Sequence, residues 1–319
     1  MKQIKYLFLL FTLSAFAGNK DTAKTVSNEP AAKISLVILG TIQDAGSPQT
    51  GCTKTCCREL FLHPDKDRKV VSLGLVDEAN QKKYLFEATP DFTQQVNALK
   101  KQAGAGNRET PDGIFLTHAH IGHYTGLMYL GKEALNAGSI PVYTMPRMKT
   151  FLEQNGPWNL LVKNKNIVLQ EMNDQKEMLL GSNLKVIPFT VPHRDEFYET
   201  VGYSITGPDK TVLFIPDIDK WEKWNSNITD AIAKVDYAFI DGTFYDAAEI
   251  NNRDISTIPH PFIIESMNRF KDLPAAEKKK IYFIHFNHTN PVINKKTKQY
   301  RQVMENGFNI AAINDVFLL

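Results

Sequence analysis

The 319-residue chain has little of what would mark a specialised class of protein. Cysteine is scarce, with only Cys52, Cys56 and Cys57. The adjacent pair can hardly bridge without strain, and any disulfide leaves one thiol over. An excess of one charge is also missing. Lys and Arg number 37 against 35 Asp and Glu, a formal +2, and no basic stripe is interleaved with aromatics. Neither feature implies a polyanionic partner, and nucleic acid is not expected to be one. The N-terminal apolar stretch, residues 6–16, is too short for a spanning helix. There is no internal repeat of fixed period and no low-complexity tract. What remains, 43% hydrophobic and 23% charged, is ordinary for a soluble globular protein of one large domain or two small ones.

The N-terminus has the layout of an export signal. Met1-Lys2-Gln3-Ile4-Lys5 supplies positive charge, residues 6–16 an apolar core, and Ser14-Ala15-Phe16-Ala17 the small residues that a signal peptidase reads. The predicted signal peptide is therefore 1–17, cut after Ala17. If it is retained, the stretch acts as an anchor. No cysteine lies near the cut, so a lipid-modified terminus is not supported. Residues 18–33 are polar and read as a linker, and the folded domain is predicted over 34–319. The mature protein is expected to be exported, periplasmic or secreted, with no membrane association after cleavage.

From residue 34 onwards, apolar strands alternate with short helices. Strands are predicted over 34–40, 70–76, 83–87, 113–116, 141–144, 166–171, 184–191, 201–206, 211–215, 235–240 and 281–284. Helices are predicted from Asp91, as cap, to about 101, from 124 onward, and over 147–155 and 262–270. Candidate ligands recur just past the apolar strands: His118 and His120, His193, Asp217 and His285. Strand ends from distant segments can converge on one edge of a layered sheet structure, where α/β folds place their chemistry.

Three of the eight histidines crowd into Thr117-His118-Ala119-His120-Ile121-Gly122-His123. Imidazole is the commonest protein ligand for zinc and related metals. In an extended segment residues two apart point the same way, so His118 and His120 can pinch one ion while His123 reaches a second. Bland readings stand beside these: His193 as a loop histidine paired with a carboxylate, and Asp217 as a helix cap. His63 and His260 read as loop residues beside prolines, although His260 could line a pocket. Trp158, Trp221, Trp224, Phe244 and Tyr245 read as packing or as cleft walls.

The order His-x-His-x-x-His, lone His, strand-end Asp and late His resembles the metallo-β-lactamase superfamily. That resemblance implies an α/β fold, a four-layer αβ/βα sandwich with metals at one edge of two sheets. It implies His118, His120 and His193 around a first ion, His123 and His285 on a second, and Asp217 bridging. Within the superfamily, four segments look like the pyrroloquinoline-quinone biosynthesis protein B (PqqB) branch: Gly40-Thr41 with Gly46-Ser47-Pro48-Gln49, Ala88-Thr89-Pro90-Asp91, Asp241-Gly242-Thr243-Phe244 and 285–291. Biosynthetic members of that branch often lack the first two histidines of the motif. This chain keeps both, which pulls it towards hydrolases. One position departs from the family pattern. Gly122 stands where an aspartate is usual, leaving the second site a ligand short unless Asp44, Glu87 or Asp91 fills in.

The cysteines admit two readings. Export suggests a disulfide. The related phosphonate-pathway cyclic phosphodiesterase and PqqB carry a zinc-binding cysteine cluster after the first strand, which implies a structural zinc on Cys52, Cys56, Cys57 and His288. The Cys52-x-x-x-Cys56-Cys57 spacing differs from that pattern.

The reaction expected from the resemblance is hydrolysis of a small-molecule phosphodiester, carboxylic ester or lactone. A metal-held water loses its proton near neutral pH, and Asp217 and His285 rank as catalytic. Glu87 and Asp91 are expected to orient ligand imidazoles. One or two zinc ions are expected, with iron or manganese as alternatives. The alternatives in function are a PqqB-like iron-dependent oxygenase linked to quinone cofactor synthesis and a non-catalytic binding protein on the same scaffold. The sequence sets no oligomeric state.

Overall fold

The computed structural model describes residues 33–319 apart from 45, 105, 107 and 251–257. The predicted signal peptide 1–17 and the linker up to residue 32 lie outside the described residues. Residues 32–319 form one compact unit.

Two seven-stranded sheets face each other. The first takes β1 (Ile34–Gly40), β2 (Ser72–Asp77), β3 (Lys82–Phe86), β4 (Gly113–Phe115), β5 (Ile140–Thr144) and β6 (Ile167–Glu171). The second takes β7 (Met178–Gly181), β8 (Leu184–Thr190), β9 (Val201–Thr206), β10 (Thr211–Ile215), β11 (Tyr237–Asp241), β12 (Ile281–Ile284) and β13 (Asn309–Ile310). The last strand, β14 (Val316–Leu318), crosses back to flank β1, so the sheets are ordered β14-β1-β2-β3-β4-β5-β6 and β13-β12-β11-β10-β9-β8-β7.

Alternation along the strands sorts side chains into layers. Leu36, Ile38, Phe86 and Phe115 from the first sheet meet Tyr203, Val212, Phe214 and Phe239 from the second in the central core. The intervening residues point outward. Val37, Leu39, Leu85 and Ile114 pack under the helix Phe92–Ala103 and its neighbours, while Leu213, Ile215, Ala238 and Ile240 pack under the helix Ile263–Arg269. Both sheets are thus covered on both faces, which is why these strands read as near-continuous apolar runs. The result is the four-layer sandwich. Among the described residues no helix is long and apolar enough to cross a membrane.

Several local expectations are corrected. The helix expected from residue 124 begins earlier, at Ile121–Tyr124, and tightens into a 3₁₀ turn over Thr125–Leu130. The cause is close packing at Gly126, whose N–H donates to the Ala88 carbonyl at 2.8 Å. Asp91 precedes its helix without capping it; its carboxylate accepts from the Val70 amide at 2.8 Å instead. A strand at Met178–Gly181 was not expected, because it is a half-exposed edge without a clear alternating pattern.

Phe115 sits at the centre of the sandwich, stacked on Phe86 and Tyr143 with ring centroids 4.8 and 4.3 Å away. Phe115→Ala is expected to cost about 3–5 kcal/mol through lost burial and a residual cavity. Urea unfolding checks this as a lowered midpoint at unchanged slope.

Candidate metal centre

The site grows from strand ends. β4 ends at Phe115, and the chain stays extended through His120 before turning into the short helix. Buried hydrogen bonds hold this segment. The Tyr203 hydroxyl donates to the Leu116 carbonyl, and the Val201 amide donates to the Thr117 carbonyl at 3.2 Å, tying β4 to the opposite sheet. His118 and His120 therefore emerge side by side, ring centroids 4.5 Å apart, and His123 reaches back from the helix to 4.1 Å from His118.

Asp217, just past β10, is the focus. Its Oδ2 lies 3.4 Å from His118 Nε2, 3.8 Å from His120 Nδ1, 3.2 Å from His193 Nε2 and 3.9 Å from His285 Nε2. Two ligand sets result. His118, His120, His193 and Asp217 have donor atoms all within 4.8 Å of one another, and so do Asp44, His123 and His285. His118, His120, His123, His193, Asp217 and His285, the ligands expected from the resemblance, are thus gathered at one edge, together with Asp44 from the loop after β1. Asp91 is not among them, since its carboxylate is used at Val70.

Electrostatics follow from burial. Desolvation opposes the Asp217 carboxylate, but His193, His260 and His285 hold its pKa well below the usual range. Burial pushes the His118 imidazolium well down, helped by His123, whereas Asp217 and Asp219 overcome burial at His193 and raise it to about 9.

The donor set fits a metal. The Nε2 atoms of His118, His120, His123, His193 and His285 are buried without a hydrogen-bond partner, as are Asp44 Oδ1 and Asp217 Oδ1. Orphaned buried polar atoms are costly, and so many gathered in two adjoining sets match what cations satisfy. The opposite ring faces are held. Thr117 Oγ1 lies 2.8 Å from His118 Nδ1, Asp219 Oδ1 3.2 Å from His193 Nδ1 and Thr243 Oγ1 2.8 Å from His285 Nδ1. Glu87 Oε1 is 3.4 Å from His123 Nδ1, in ion-pair range though not aligned for a hydrogen bond. Such partners fix ring orientation and raise ligand basicity. Glu87 and His285 adopt left-handed backbone, φ 75° and 68°, a conformation costly for non-glycine residues and concentrated at functional sites.

Sequence reasoning missed Asp219 and underrated His260. The two-residue spacing of Asp217 and Asp219 was the available signal for the first. His260 Nδ1 lies 2.9 Å from Asp241 Oδ2 and 3.2 Å from Asp217 Oδ1. These groups open onto a cavity of about 590 Å³ whose lining includes Asp44, His120, His193, Arg194, Asp217, Phe244 and His260. Trp221 is packing, its indole N–H donating to Ser266 Oγ at 2.9 Å.

A second cluster joins Cys52, Cys56, Cys57 and His288, donor atoms again within 4.8 Å of one another. The helix Thr55–Leu62 presents Cys56 and Cys57, whose sulfurs stand 4.0 Å apart. A disulfide needs about 2.05 Å, and all three thiols are free, so the disulfide reading is not supported. Burial pushes the Cys57 thiol up to about 12. A coordinated cation would deprotonate it outright, and Cys₃His is a closed structural zinc geometry.

Two facing sheets with imidazoles at their strand ends define the metallo-β-lactamase fold. The chain belongs to the β-lactamase superfamily: residues 82–286 match the Beta-lactamase superfamily domain. It is similar to the Coenzyme PQQ synthesis protein B of Gluconobacter oxydans, 26% identical over 313 residues covering 90% of this chain and 99% of the relative. The fold is that of zinc-bound PqqB from Methylobacterium extorquens, with TM-score 0.74, 21% identity and coverage of 89% of this chain and 100% of the other. A diphosphatase of the PhnP family shares it at TM-score 0.61 and 19% identity, covering 90% and 97%.

Two outcomes are expected. Asp219→Asn lowers zinc affinity by about 10–100-fold, read by isothermal titration. Chelation makes the three cysteines newly reactive to a thiol reagent and lowers the unfolding temperature, because a structural ion contributes folding free energy.

Proposed function

We propose that this chain is an exported metal-dependent hydrolase of small phosphodiesters, with carboxylic esters or lactones as the less favoured substrates. The observation that carries the reading is the ring of buried, partnerless imidazole nitrogens around Asp217 at the mouth of the cavity. Export rests on the pattern in residues 1–17. Zinc suits the donor chemistry, and iron and manganese share enough of it to be tested beside zinc.

A divalent cation bound there supplies Lewis acidity and lowers the pKa of water. The chain's own residues do the rest. Asp217 places its charge between the two imidazole sets, and His285 is kept in one orientation by Thr243. Arg194, on the cavity wall, offers a guanidinium to a phosphodiester anion, which favours that class over neutral esters. Phe244, Ile258 and Pro259 make an apolar wall that limits water around the reacting group. Asp241 engages His260 at Nδ1, so the other ring nitrogen is the one left to pass a proton to a departing alkoxide.

The extent of similarity to relatives named for PQQ synthesis supports a second reading, an iron-dependent oxygenase in quinone cofactor synthesis. Oxygen uptake that needs both Fe(II) and a tyrosyl substrate would favour it. Bis-p-nitrophenyl phosphate turnover tests the first reading. The metal-loaded protein is expected to turn it over, His118→Ala to fall to background, and His260→Ala to slow poor leaving groups more than p-nitrophenolate. No ester turned over, with His118→Ala matching wild type, defeats the proposal.

A further inference from the structure

We propose that Asp44 supplies the second ion position with the carboxylate that the histidine motif lacks at Gly122, and that glycine at 122 is the condition for its doing so. The inference rests on the metal-binding reading above and not on the reaction assigned to it.

Gly122 lies inside the short helix Ile121–Tyr124, outside the left-handed region, so no backbone conformation demands glycine there. Space does. A Cβ at 122 would stand 2.0 Å from Asp44 Cβ and 2.2 Å from Asp44 Cα, distances that real atoms do not adopt. The backbone of Asp44 therefore occupies the place where a side chain at 122 would start. One carboxylate can come from either position, but not from both.

The loop is held there by pairing beside a ligand. The Phe286 amide donates to the Thr41 carbonyl at 2.7 Å, and the Gln43 amide donates to the Phe286 carbonyl at 2.9 Å, which seats residues 41–44 against the residue following His285. Asp44 Oδ1 then lies 3.9 Å from His285 Nε2. His123 and His285 are fully buried, and the Nε2 atoms of both lack partners, as does Asp44 Oδ1. These three side chains form a set of their own, with donor atoms within 4.8 Å of one another. The rival carboxylates are otherwise engaged: Glu87 faces the Nδ1 side of His123, and Asp91 takes the Val70 amide.

The experiment counts ions and needs no substrate. Wild type, Asp44→Asn, Gly122→Asp and the double variant Asp44→Gly/Gly122→Asp are loaded with zinc alone, gel-filtered and analysed by elemental mass spectrometry and calorimetric titration. Circular dichroism reads folding. Asp44→Asn is expected to fold and lose one ion per chain, its affinity at that position falling at least about 100-fold, the upper end of what losing an outer-shell partner costs. Gly122→Asp alone is expected to lose that ion or to misfold. The double variant is expected to regain it. Asp44→Asn with wild-type stoichiometry and affinity overturns the proposal, as does a folded double variant that binds no more zinc than Asp44→Asn. Because no turnover is measured, a failed hydrolase assignment leaves this result standing, and the reverse holds too.

Discussion

A buried carboxylate at the meeting point of two sheets governs this structure. Asp217 is almost fully buried, and an isolated charge there would be expensive. It is tolerated because imidazoles from four other segments converge on it. The rings of His118, His193 and His285 are in turn held by a hydroxyl or a carboxylate on the far side, and Glu87 faces that side of His123. A shell so short of hydrogen-bond partners at its centre is stable as a cation site and costly as anything else.

The scaffold keeps that arrangement rigid. Each ligand leaves the sheet just past an apolar strand covered on both faces, so its Cα cannot drift without disturbing the core. The ties between sheets fall directly beneath the site, at Tyr203 with Leu116 and at Val201 with Thr117. The left-handed backbone at Glu87 and His285 is strain of the kind a packed surrounding over-determines. The cysteine cluster follows the same logic: it lies between the early helix and His288, three residues beyond His285, so an ion held there would clamp the first loop to the last ligand strand.

Much was legible in the residues because two periodicities coincide with chemistry. Apolar runs marked the strands, histidines or an aspartate directly after them marked the candidate ligands, and the order of those ligands implied the sandwich through its family resemblance. Asp219 and the Asp241–His260 pair were less legible, since a carboxylate in a loop reads as solvated until its neighbours are known. The Asp91 cap failed for a related reason. A local rule assigned its oxygen to its own helix, whereas a strand amide distant in sequence competed for it and won.

Sequence by itself carried the fold class, the histidines and Asp217 as candidate ligands, and the gap at Gly122, because residue types in that order are enough to show the family resemblance that implies them. Tertiary structure alone decided which carboxylate lies against that gap, which groups hold the rings of His118, His193 and His285, and that the three thiols gather with His288. Those outcomes depend on distances between segments far apart in the chain, and such distances are set only when two sheets close over one core.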